Sequence, residues 1–127
     1  MNYSISATPN YVSLKLAKVP SRENVLHAIK EIAPLLKNKK ILLIDSKDLK
    51  FPFNLYEKHS FFVELSENGV DKNIQIITVT NFIKEEHSLL EMVAKNRGWK
   101  LKNFHYQEQA DRLIKKIIHP VLVSTGK

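Results

Sequence analysis

Cysteine is absent from the 127-residue chain, which excludes a disulfide framework, a thiolate metal site and a cysteine nucleophile. Glycine is scarce: Gly69, Gly98 and Gly126 are too few and too scattered to cradle a phosphate in a glycine-rich loop. No aliphatic run approaches the roughly 20 residues that a bilayer-spanning helix needs. The opening MNYSISATPN carries neither the basic leader nor the apolar stretch of a secretory signal, so the expected location is cytoplasmic. Acidic residues are in deficit, 13 against 20 lysines and arginines, for a net charge of +7. The excess is spread along the chain in short lysine clusters without interleaved aromatics. A solvated lysine surface is therefore expected, nucleic acid is disfavoured, and weak polyanion binding is a third functional reading.

What remains is ordinary for one folded domain, 43% hydrophobic and 26% charged, long enough to bury a core unaided. Tyr3, Ile5 and Ala7 alternate with Ser4, Ser6 and Thr8. After Pro9-Asn10 the alternation resumes at Val12, Leu14 and Leu16, which predicts a hairpin. Ser21 is placed to cap a helix striped by Val25, Leu26, Ile29, Ile32, Ala33 and Leu36, with Pro34 loosening a last turn near Asn38. Ile41 to Ile44 is continuous rather than alternating, as in a strand covered on both faces, and the strand is expected to stop at Asp45-Ser46. Asn54 and Glu57 form a capping box for a helix with an apolar face of Leu55, Phe61, Phe62 and Leu65, stopped at Asn68-Gly69.

Asn73 to Thr80 predicts a strand and Lys84 to Arg97 a helix with acids in its first turn and bases in its last. Trp99 to Phe104 has the look of an edge strand guarded by lysine, and a final helix starts at Gln107. The expected fold is α/β: a four- to five-stranded mixed sheet in the order ββαβαβαβα with helices packed on it. One domain would span 1–118, with a tail at 119–127.

The hairpin YSISATPNYVSLKLAKV, the strands ILLIDSKDLKF and IQIITVTN and the terminal GWKLKNFHYQEQADRLI, with Phe104, Ala110 and Leu113, carry a resemblance. Together they resemble the SpoIIAA-like branch of the STAS superfamily, small α/β domains akin to bacterial anti-sigma-factor antagonists. The resemblance implies a regulatory, protein-binding domain without enzymatic activity. Phosphoregulated antagonists carry a serine where the helix after the central strand begins, a place that suits phosphate. Here that run is FPFNLYE, and the acceptor position falls on Asn54 or Leu55. Neither can be phosphorylated, so the resemblance does not extend to a kinase-controlled switch.

Asp45-Ser46 invites a catalytic reading, but a serine relay needs a base within reach and an oxyanion pocket, and no G-x-S-x-G elbow is present. The structural alternative is that both satisfy backbone groups where the strand ends. His27, His59, His87, His105 and His119 show no metal-ligand spacing. No catalytic residue, metal or cofactor is expected.

Phe51, Phe53, Tyr56, Phe61, Phe62 and Phe82 gather most of the aromatics around one loop and helix. Some must be core; the rest sit at the carboxyl edge of the strands, where open α/β sheets bind ligands or partners. The candidate contact residues are Asp45, Ser46, Phe51, Phe53, Asn54 and Tyr56. A protein partner is the first expectation. A small apolar ligand or lipid in a cavity near Phe51 to Phe62 is the second. A homodimer through an edge strand is also open, although the edge lysines oppose it.

Overall fold

The computed structural model describes residues 2–119. The hairpin is β1 (Tyr3–Ala7) and β2 (Tyr11–Lys18), followed by α1 (Arg22–Leu35), β3 (Ile41–Leu49) and α2 (Leu55–Glu67). Then come β4 (Gln75–Val79), α3 (Lys84–Asn96), β5 (Lys100–Phe104) and α4 (Gln107–Ile118). The tail expected at 119–127 lies, beyond His119, outside the described residues.

The five strands lie in chain order, β1-β2-β3-β4-β5. β1 is antiparallel to β2 and every later pair is parallel. Strands added in sequence by crossovers of one hand put their helices on one face. Accordingly Ala28 of α1, Phe62 of α2 and Val93 of α3 share a core with Leu14, Leu42 and Ile76. After the last strand the chain turns to the other face, where Ala110 and Ile114 of α4 pack on Ile41, Leu43, Ile77 and Val79.

The aliphatic tetrad is thus sandwiched: Ile41 and Leu43 point to α4, Leu42 and Ile44 to α1–α3, and none is more than 6% exposed. Each such side chain contributes about 1.5–3 kcal/mol by leaving water. An α/β domain with a five-stranded mixed sheet is the result.

Two element ends differ from expectation, each for a local reason. β3 does not stop at Asp45-Ser46 but runs on to Leu49. Lys15 of β2 faces Asp45, yet Ala17 faces Asp48, so β3 holds one residue too many and bulges at Ser46-Lys47. The Asp45 carboxylate accepts the Lys47 N–H at 3.1 Å, satisfying a donor the bulge turns out of the ladder.

Helix α1 ends at Leu35, earlier than expected. Pro34 has no N–H to continue the ladder. The Leu36 N–H is shared between the carbonyls of Ile32 and Ala33, at 3.0 and 3.2 Å, and Asn38 takes φ 65° to turn the chain toward β3.

Both α1 and α2 start with reciprocal caps, Ser21 with Asn24 and Asn54 with Glu57. Ser21→Ala is expected to cost about 1 kcal/mol in urea unfolding, and Asn54→Ala a similar amount. A change below about 0.3 kcal/mol in either would mean that water replaces the cap. No described helix is long and apolar enough to cross a membrane.

Candidate functional site

Parallel strands direct their following loops to one end of the sheet, so the β2–α1, β3–α2, β4–α3 and β5–α4 connections meet at the carboxyl end. Six of the eight exposed large hydrophobic residues among the described residues lie there: Val19, Phe51, Leu55, Tyr56, Ile83 and Tyr106, each between 51 and 68% exposed. Single exposed apolar residues need no explanation, but clustering at one end does. Phe51 and Tyr56 were singled out from sequence. Leu55, expected on the buried face of its helix, is the first residue of α2 and projects above the sheet into solvent.

Phe53 is half-buried against the core and forms part of a groove of about 200 Å³ between α1 and α2, with Val25, Leu26, Tyr56 and Phe61. Asn54 is committed to its helix: its side chain accepts the Glu57 N–H at 2.8 Å while the Glu57 carboxylate accepts the Asn54 N–H at 2.8 Å. Its side-chain oxygen is thereby occupied in starting α2, which positions Leu55 and Tyr56.

Asp45 and Ser46, adjacent in sequence, are separated by the sheet. Asp45 shares the α4 face with Lys47, whose ammonium lies 3.7 Å from the carboxylate and donates to the Gln107 side chain at 2.9 Å. Ser46 lies among the α2 and α3 side chains, beside Phe53, Lys58 and Thr78. The two side chains lie on opposite faces of the sheet, and the bulge accounts for the bond that Asp45 makes.

The residue missed from sequence is Lys58. Its side chain is 5% exposed. The ammonium donates to the Phe53 carbonyl and, at 2.7 Å, to Glu86 of α3, whose side chain is 29% exposed. One lysine therefore ties the Phe51–Asn54 loop to the second helix of the patch. The signal was present: Lys58, Phe61, Phe62 and Leu65 fall at i, i+3, i+4 and i+7, which puts the lysine on the buried stripe.

Two adjoining recesses of about 50 Å³ each flank Lys58. Their polar wall is a network in which the Thr78 hydroxyl donates to the Asn103 side-chain carbonyl at 2.7 Å and the Asn103 N–H donates to Glu91 at 2.8 Å. Such volumes suit one or two waters, far below the roughly 300 Å³ of a drug-sized pocket. Among the described residues, no three histidine or acidic side chains stand close enough to hold a metal ion.

No family model and no curated protein sequence matches the chain. Solved structures do. An anti-sigma factor antagonist from Mycobacterium paratuberculosis superposes with a TM-score of 0.61 at 9% identity, covering 89% of this chain and 92% of that one. An uncharacterised DUF3478-family protein with a SpoIIAA-like fold, from Shewanella loihica, gives 0.54 at 14% identity over 88% and 91%. At such identities the likeness is one of fold, and it extends over nearly the whole of each chain. The five-stranded mixed sheet with helices packed on it has a SpoIIAA-like α/β fold.

Proposed function

We propose that this chain is a non-enzymatic regulatory module that binds another protein through the carboxyl end of its sheet. The observation carrying this reading is the convergence of Val19, Phe51, Leu55, Tyr56 and Ile83 from three separate loops onto one end, beside an apolar groove. Exposed aromatics next to a groove are the usual anchors of a protein interface. The similarity in fold to an anti-sigma factor antagonist supports a regulatory role exercised by binding. Without a serine at Asn54 or Leu55, control by phosphorylation at the helix start is not part of the proposal. Carriage of a lipid inside the domain is not favoured, because the recesses beside Lys58 hold only about 50 Å³ each.

The test is a double substitution, Phe51→Ser with Tyr56→Ser, measured against the partner recovered by affinity capture and then purified. Both side chains are exposed, so unfolding should shift by less than about 0.5 kcal/mol. Affinity should fall at least tenfold, the loss of about 1.4 kcal/mol. Unchanged affinity in a folded double variant would move the interface elsewhere.

A further inference from the structure

The lysines look scattered in sequence, but the fold gathers many of them at the end opposite the patch. That amino-terminal edge is made by the last turns of the helices, the loops after them and the first residues of β3, β4 and β5. Lys37, Lys39 and Lys40 follow α1, and Lys72 follows α2. Lys95 and Arg97 close α3, Lys100 opens β5, and Lys115 and Lys116 lie in the last turn of α4. Among the described residues, only Glu64, Glu67 and Asp71 offset these nine cations. At the carboxyl end, by contrast, Glu23, Glu57, Glu85, Glu86 and Glu108 of the first helical turns offset the lysines of the loops.

A structural explanation covers only part of this surplus. Each helix carboxyl terminus is equivalent to roughly half a negative charge, so four of them account for about two cations. Two side chains are spent on backbone carbonyls. The Lys39 ammonium donates to the carbonyls of Thr8 and Pro9 at 2.8 and 3.2 Å, and that of Lys72 to the Arg97 carbonyl at 2.8 Å. None of the nine is in an ion pair among the described residues. Several remain unspent.

Four of the nine border a cleft. Lys37, Lys39, Lys40 and Lys100 rim a depression of about 590 Å³ floored by Leu36 and Ile74, within the size range of small-ligand sites; Asp71 also lines it, its carboxylate accepting the Asn73 N–H at 2.9 Å. We infer that this cleft is a second binding site, for a ligand carrying several phosphates in a row, such as an oligophosphate or the phosphate chain of a nucleotide. Lysine ammonium groups hold phosphate as point charges without the fixed fork of arginine. Among the described residues, no aromatic side chain lines the cleft to stack a base. The site therefore reads charge density and not base identity.

The test is calorimetric titration of the full chain with sodium tripolyphosphate and with ATP, at about 20 and about 300 mM NaCl, where screening differs strongly. Saturable binding of both probes at low salt is expected, with affinities within about threefold of each other, and at least tenfold weaker at high salt. The triple variant Lys37→Gln, Lys40→Gln, Lys100→Gln should lose tenfold or more. A control with the same net charge, Lys18→Gln, Lys50→Gln, Lys84→Gln at the far end, should stay within about twofold. All six side chains are exposed, so both variants are expected to fold. No binding of either probe at low salt, equal losses in the two variants, or binding of polyglutamate without tripolyphosphate would overturn the inference.

Discussion

Phe62→Ala is expected to lower the unfolding free energy by about 3–5 kcal/mol, because it empties the centre of the larger core. The ring is 1% exposed and lies under the sheet-facing side of α2. It meets Phe61 edge-on, centroids 5.6 Å apart at 86°, and Trp99 at 6.3 Å and 33°. Aromatic contacts of this kind add about 0.5–1.5 kcal/mol to plain burial. Trp99 packs there from the turn before β5, so the cavity loosens the junction between α2 and the sheet edge. Urea unfolding should show a lower midpoint with an unchanged slope. A loss under about 1 kcal/mol would mean that α2 is not seated as described.

Lys58→Ala is expected to cost about 2–4 kcal/mol and, beyond stability, to release the patch loop. Breaking a buried ion pair leaves a charge uncompensated and costs about 3–5 kcal/mol. Glu86 is partly solvated, which lowers the figure here. The Phe53 carbonyl also loses its donor. Replacing the whole pair by apolar groups, Lys58→Met with Glu86→Leu, should recover most of the stability, because no lone charge is left behind. Amide hydrogen exchange separates the two roles. The double variant should be nearly as stable as the parent, yet exchange faster at residues 51–54, where the tie to Lys58 is gone. Unchanged exchange there would show that the capping box alone holds the loop.

What the sequence disclosed and what it concealed follow from how far apart the determinants lie. The buried tetrad, both N-caps and the placement of Phe51 and Tyr56 at an exposed turn depend on residues a few positions apart, and periodicity exposes them. Lys58 was legible by the same rule. A lysine in an apolar stripe is ordinarily solvated, and the acid that makes this burial tolerable lies 28 residues away. The bulge in β3 needs the register against β2, which alternation within one strand does not encode. Val19, Ile83 and Tyr106 join the patch only because parallel connections bring their loops to one end. The lysine-rich edge is hidden for the same reason: its clusters meet only when α1, α2, α3 and α4 all end at the amino edge of the sheet.

The docking claim is tested most directly by site-resolved photo-cross-linking. p-Benzoylphenylalanine is placed in turn at positions 51, 56 and 92, all exposed, and irradiated with the native partner present. Adducts at 51 and 56, with none at 92 on α3, are the predicted result. An adduct at 92 with none at 51 or 56 would contradict docking through the carboxyl end.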